Sequence, residues 1–282
     1  MKFIFEPKVY LIGKQVVVRD QLQNFLDNNN ASGWTTDAPS AGEELAEIGG
    51  RNCYQSWVNK REGGNKAYLE HILDVGHLSV CEHSVYTLLI EGISRSNSHE
   101  FVRHRHLSPS QLSQRYVDES VGEYVVPPDL KEEVSLALNI KDPEHISKEN
   151  QSKWLIGDAW ISSIENSHQE YIKTVEYLQK KASSLELFKN QRSTEKRKFA
   201  RQAARSLLPN ATETKITMTG NARAWRNFIE LRATRFADPE IRIMAYKIWQ
   251  ILVNESPNMF GDYKETKLED GTIELSTEKG KV

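Results

Sequence analysis

Apolar residues run on either side of Gly13 from Val9 to Val18, which reads as a short strand with a break at Gly13. Asn28 to Ala41 is polar and holds Gly, Ser and Pro, the mark of a loop. From Glu43 to Tyr54 the spacing turns helical, with Leu45, Ile48 and, more loosely, Tyr54 on one side. Arg61 to Asn65 reads as a charged Gly-Gly loop. Asn65 is then the expected cap of a helix carrying Tyr68, Leu69, Ile72 and Leu73, with Gly76 as its stop. Ser84 to Glu91 is β-branched and aromatic, a strand. Periodicity is weak from Ser94 to Tyr116. Pro127, Pro128 and the charged run Lys131 to Asn150 predict a loop or variable insertion.

Helix dominates the rest. Trp154 to Phe188 reads as one or two long helices, and Ser193 to Leu208 as another, ended by Pro209. Ile216 to Thr219 is a short strand. Asn221 caps a helix to about Phe236. Asp238-Pro239-Glu240 starts the last one, with Ile241, Met244, Ala245, Ile248 and Leu252 facing inward. Asp270-Gly271 predicts a two-residue hairpin. No internal repeat or low-complexity segment interrupts the pattern. Helix outweighs strand and the two are not regularly interleaved, so the class is α+β.

Composition narrows the function. The 282 residues hold 37 Lys+Arg against 39 Asp+Glu, a formal charge of −2. That balance excludes a globally basic nucleic-acid coat, and the length is enough for a sizeable core. No apolar run approaches the roughly 18 residues of a membrane span. The start carries Lys2, Glu6 and Lys8 within a short apolar alternation, unlike a signal peptide. Cys53 and Cys81 are the only cysteines, which points to a cytoplasmic chain with reduced thiols. His77, His83, His99, His104 and His106 crowd into one region.

Four elements carry chemistry. Arg103 to Arg115 holds three arginines, two histidines and three serines, the forks and hydroxyls that a phosphate or diphosphate needs. The alternative is a solvated loop whose arginines pair with Glu100, Asp118 and Glu119. On the helix before Pro209, Lys198, Arg201 and Arg205 share one face opposite Phe199, Ala203 and Leu207. On the helix after Asn221, Arg232 lies in the middle of the Trp225, Phe228, Ile229 stripe. A guanidinium keeps its charge, so either a carboxylate meets it in the core or it lines a cleft and meets a ligand. Finally, Gly76 to His83 sits at a helix–strand junction, and Cys81 there reads as a core filler rather than a nucleophile. His104 and His106 have His-x-His spacing without nearby carboxylate or thiol ligands. Neither a Rossmann turn nor a P-loop is present.

Arg103-His104-Arg105, followed after seven residues by Ser113, resembles the signature of the flavin-dependent thymidylate synthases. The likeness to the actinobacterial branch extends through Gly76-His77-Leu78-Ser79, Glu82-His83, Ser94 to Glu100, Ser110 to Tyr116, Ala200 to Arg205, Leu208 to Thr214, and Gly220 to Ala233. It covers roughly Val9 to Thr266. It implies helices packed around a small, mostly antiparallel sheet in a single catalytic domain over residues 1–282. The core is about 9–266, with a variable insertion at 131–150 and a tail at 267–282. It implies a cytoplasmic homotetramer with sites shared between subunits, and no metal, nucleic acid or membrane. FAD is the implied cofactor. A methylene from 5,10-methylenetetrahydrofolate passes to C5 of dUMP, and NADPH reduces the flavin, giving dTMP and tetrahydrofolate.

By position, Ser79, Arg103, His104, Arg105, Gln111, Asn221, Arg223 and Asn227 match flavin contacts in that family. Glu100, Phe101, Val102, Arg103, Gln111, Leu112, Ser113, Gln114, Arg115, Arg205 and Arg232 match dUMP positions, and Arg232 matches the residue that activates the pyrimidine. Three positions depart or vary. Pro109 stands where relatives often have an aromatic residue, Phe236 where histidine is common, and Asn227 where Asn and His alternate. Two other readings compete: a metal-dependent nucleotide hydrolase built on His77, His83, His104 and His106, and an RNA-binding module using the ridge from Arg192 to Arg205.

Overall fold

The computed structural model describes residues 1–59, 61–140, 144 and 146–279. Its first half runs β1 (Lys2–Ile4), β2 (Lys8–Lys14), α1 (Arg19–Asn28), α2 (Ala41–Tyr54), α3 (Gly64–Asp74), a 3-10 turn at Leu78–His83, β3 (Val85–Ser94), α4 (Arg95–Phe101), β4 (Ser108–Gln111) and β5 (Glu123–Val125). The second half runs α5 (Lys131–Asn139), α6 (Gln151–Ser184), α7 (Ser193–Ala204), β6 (Glu213–Asn221), α8 (Ala222–Arg232), α9 (Pro239–Glu255), α10 (Pro257–Phe260), β7 (Lys264–Lys267) and β8 (Ile273–Ser276). One sheet has the order β2-β3-β6-β4. β1 lies parallel to β5, with Phe3 opposite Tyr124, and β7 pairs antiparallel with β8. This is the α+β architecture expected.

Contacts divide the chain into two compact units. Met1–Pro7, Glu91–Glu100 and Gln111–Ile216 form the first; Lys8–Ile90, Phe101–Ser110 and Thr217–Val282 form the second.

In the first unit the expected loop at 131–150 is partly helical. α5 buries Val134 and Ala137 and packs on α6, where Gly157 leaves room for the Glu133 carbonyl. Trp154 Nε1 donates to the Ile140 carbonyl at 2.7 Å and fixes the helix end. The sequence hid α5 because its nine residues are too short to show a helical period and run into a charged stretch. Residues 141–143 and 145 of the expected insertion lie outside the described residues. α6 is one unbroken helix. α7 ends at Ala204, and a 3-10 turn over Arg205–Leu207 precedes Pro209. β6 spans nine residues, well beyond Ile216 to Thr219.

In the second unit Ser40 caps α2 by accepting from the Glu43 amide at 3.3 Å. The expected inner face of Leu45 and Ile48 is only half-buried. Glu43, Glu44, Glu47 and Arg51 are buried instead. Partners make that tolerable: Glu47 accepts from Thr36, Arg51 and Asn65 at 2.7 to 3.1 Å. Asn65 therefore does not cap α3. Gly63, at φ 87°, takes that place, and Gly76, at φ 72°, follows the helix end as predicted. Asn221 and Asp238 cap α8 and α9 through their side chains. α8 stops at Arg232, short of Phe236, which is 91 % exposed. α9 buries Ile241, Met244, Ala245, Ile248 and Leu252 as its pattern predicts. The β7–β8 register pairs Lys267 with Ile273, so the connection is Leu268–Thr272, longer than a two-residue turn. No helix among the described residues is long and apolar enough to cross a membrane.

Candidate functional site

Each unit carries a polar cleft. In the first, about 490 Å³ is lined by Arg95, His99, Gln114, Gln202, Arg205, Ser206, Leu208, Pro209 and Asn210. Arg95 opens α4, whose start is fixed by its own amide on Thr212 O at 2.9 Å and the Ser96 amide on Asn210 O at 3.1 Å. Among the described residues its guanidinium makes only long contacts, to Leu112 O at 3.3 Å and Thr214 Oγ1 at 3.4 Å. Burial holds Arg95 below the usual guanidinium range; Glu119 opposes this and Arg205 adds to it. Of the expected dUMP positions, Gln114 and Arg205 line this cleft. Arg95 and His99 were visible in the motif Ser94 to Glu100 but carried no assigned role.

The neighbouring motif residues brace this region. Gln111 Nε2 donates to Ser98 Oγ at 2.7 Å and Thr214 Oγ1 at 3.3 Å. The Leu112 amide donates to Lys215 O at 2.9 Å, and Ser113 O accepts the Tyr116 and Val117 amides. Arg115 lies 5.9 Å over the Tyr116 ring, whose centroid is also 5.2 Å from Lys198 Nζ. Its shielded Nε has no partner among the described residues. Glu100 is half-buried. The basic ridge of α7 is corrected here. Arg201 is buried, and it donates to Tyr116 O at 2.7 Å and Asp118 Oδ2 at 2.6 Å. It pins the loop after the motif, while Leu207, expected inside, is exposed.

The second unit's cleft, about 340 Å³, is lined by Glu82, His106, Asn221, Arg223, Ala224 and Asn227. Asn221, Arg223 and Asn227 are thus brought together. Asn221 Oδ1 is engaged in its cap, so its amide NH₂ is the donor left for a ligand. Arg223 reaches across to Glu82 at 2.7 Å. Ser79, Arg103 and Arg105 are exposed, Val102 is half-buried, and none of them lines either cleft. Phe101 is core, its ring 4.9 Å from that of Phe228.

At the end of α8, Arg232 Nε donates to His104 Nε2 at 3.1 Å. The His104 ring meets Phe228 edge-on at 5.0 Å. Burial first, and then the Arg232 charge, lower the His104 pKa to about 4. His104 is therefore neutral, with Nε2 the acceptor and the proton on Nδ1. Arg232 is half-buried beside fully buried Trp225, Phe228 and Ile229.

The sequence reading missed Arg226 on the same helix. It is fully buried and donates to Asp262 at 2.6 and 2.8 Å and to Met259 O at 2.5 Å. Its angle on α8 was the only signal, and its partner lies far along the chain. Cys81 is buried in the 3-10 turn, and burial first pushes its thiol up to about 11, as a core filler's would be. Among the described residues, no group of three or more His, Cys, Asp or Glu side chains is placed to hold a metal ion.

The sequence profile of a family described as thymidylate synthase complementing protein, Thy1, matches residues 36–258. A flavin-dependent thymidylate synthase of Mycobacterium leprae (strain Br4923) is 45 % identical over 241 residues, covering 85 % of this chain and 86 % of that protein. This chain belongs to the flavin-dependent thymidylate synthase family. A second relative of that name, from Mycobacterium marinum (strain ATCC BAA-535 / M), is 44 % identical over 251 residues, covering 87 % of this chain and 90 % of its own. The members of this family are methyltransferases. Among solved structures, a UMP/dUMP methylase, PolB, from Streptomyces cacaoi, bound with 5-Br dUMP, shares the fold. Its TM-score is 0.62 at 16 % identity, with 93 % of this chain and 96 % of that one covered.

Proposed function

We propose that this enzyme methylates dUMP to dTMP, with 5,10-methylenetetrahydrofolate as carbon donor, NADPH as reductant and FAD as cofactor. The observation that carries the reading is Arg232, a permanent cation among apolar side chains and oriented by a neutral histidine. Activating C5 of uracil draws negative charge onto N3 and its flanking oxygens. A guanidinium held in that setting stabilises the charge as it develops, with little reorganisation. Because His104 is neutral, it directs Arg232 without adding a competing proton.

The donor sets fit the proposed ligands. Asn221, Arg223 and Asn227 offer amide and guanidinium donors suited to the phosphates and ribose of FAD, joined in the family pattern by Ser79, Arg103, His104, Arg105 and Gln111. When bound, FAD supplies the hydride chemistry. Arg205 and Gln114, with Arg95 beside them, suit a nucleotide phosphate, and the family pattern adds Glu100 to Arg103, Gln111 to Ser113, and Arg115. Buried Cys81, held as a thiol, is not needed as a nucleophile. We read the protein as a cytoplasmic homotetramer whose sites draw on more than one subunit. The test is tritium release from C5-labelled dUMP by protein reconstituted with FAD. Release only with both NADPH and methylenetetrahydrofolate is expected; no release with all present overturns the reading.

A further inference from the structure

Four carboxylates of the first unit act on one another, and three have partners. Asp118 holds Arg201 at 2.6 Å, Glu123 accepts from Lys2 Nζ at 2.8 Å, and Glu213 accepts from the Gly92 amide at 2.8 Å. Glu119 differs. Its Oε1 is shielded from solvent and has no hydrogen-bond partner among the described residues. Its backbone is fixed, since Glu119 O accepts the Gly122 amide at 3.1 Å and Arg201 pins the loop at Tyr116 and Asp118. The side chain therefore has little freedom to seek another partner. Arg95, which lines the cleft, feels Glu119 as an opposite charge.

We propose that Glu119 is a proton-linked positioning residue of the anion cleft: it governs how Arg95 is shared, and it takes up a proton when a dianionic nucleotide phosphate enters beside that arginine. This rests on reading the cleft as the dUMP phosphate site. Arg95 has no neutral state to offer, so an incoming dianion and the Glu119 carboxylate compete for one guanidinium. Protonating Glu119 removes the competitor. The change is within reach at physiological pH. Burial first, then Glu213, Asp118 and Glu123, push Glu119 up to about 7, against Arg95.

Of the other groups facing it, Glu213 on β6 is also raised, chiefly by burial, and the Glu119→Gln variant tells the two apart. From β5 and α6, Tyr124 and Tyr171 are held above the usual phenol range, chiefly by burial. From α6, His168 is held below its usual range, again chiefly by burial, and its Nδ1 is 2.9 Å from the Tyr124 hydroxyl. From α7 and the turn after it, Arg201 and Arg205 stay charged.

By reciprocity, proton uptake on binding means that affinity falls as pH rises. The phosphate's own second ionisation, near pH 6, is nearly complete above pH 7 and adds little there. Calorimetry of dUMP binding to the flavin-loaded enzyme, from pH 7.0 to 8.5 in two buffers of different ionisation enthalpy, reads both quantities. The wild type is expected to take up about half a proton at pH 7 and to lose about five- to tenfold in affinity by pH 8.5. Glu119→Gln is expected to lose the uptake and flatten the profile. Glu119→Asp, which keeps the carboxyl, retains both and guards against a folding defect in the first variant. An unchanged pH slope in Glu119→Gln, or no proton uptake by the wild type, overturns this inference while leaving the nucleotide reading intact. Wild-type enzyme that fails to bind dUMP at either pH overturns both.

Discussion

Two pairs of arginines, one on α8 and one at the end of α7, divide the same way. On α8, Arg226 turns inward to Asp262 and Met259 O, while Arg232 is turned to His104. At α7, Arg201 turns inward to Tyr116 O and Asp118, while Arg205, in the turn that follows, lines a cleft. An inward arginine has its charge answered by a carboxylate of its own chain, and it fastens two distant segments. The outward one faces a neutral histidine on α8 and a cleft after α7. Residue type alone does not separate them; burial does.

Mutation can break this division or sharpen it. Arg226→Ala leaves Asp262 buried without its counter-charge, and chemical denaturation should show a loss of about 3–5 kcal/mol. Arg232→Ala should keep the wild-type unfolding midpoint to within roughly 0.5 kcal/mol yet lose about 10²–10³ in turnover of dUMP. A large stability loss there would place Arg232 with Arg226. Arg201→Ala should cost about 2 kcal/mol, less than Arg226 because Asp118 is half exposed to water. Arg205→Ala should raise KM for dUMP about tenfold with the fold intact, the scale of one charge-assisted bond.

The smallest effect concerns pH. His104 resists protonation in the fold, where its pKa is about 4, but not in the unfolded chain, where it is near 6.5. Between those values the unfolded state binds the extra proton, so stability falls as pH drops from about 6.5 toward 4 and is full above that window. Arg232→Ala should raise the His104 pKa, readable by NMR titration.

Helix caps and core stripes were legible because their causes are local. Asn221, Asp238, Gly76 and the α9 stripe all follow from neighbours within a turn or two. The inner face of α2 was not legible. Its four buried charged residues are stable only because Thr36, Asn65, Arg19 and the Asn258 amide reach them from elsewhere in the sequence. Arg201 was misread for the same reason, its carboxylate partner being 83 residues away. In the clefts, Arg205, Gln114, Asn221, Arg223 and Asn227 came from the motifs. Arg95, His99 and Glu82 were inside quoted motifs, but only three-dimensional proximity gave them a place. In the sequence Glu119 stands only as one of three acids able to pair with the arginines of the motif.

The family profile ends at residue 258, but the second unit's closure lies beyond it. The Leu275 amide donates to Ala233 O at 2.8 Å, and Glu274 accepts from both the backbone and the guanidinium of Arg235. β8 thus acts as a latch across the turn that follows Arg232. Trimming the chain to its recognisable motifs would keep every assigned residue and release the latch that keeps one of them aimed.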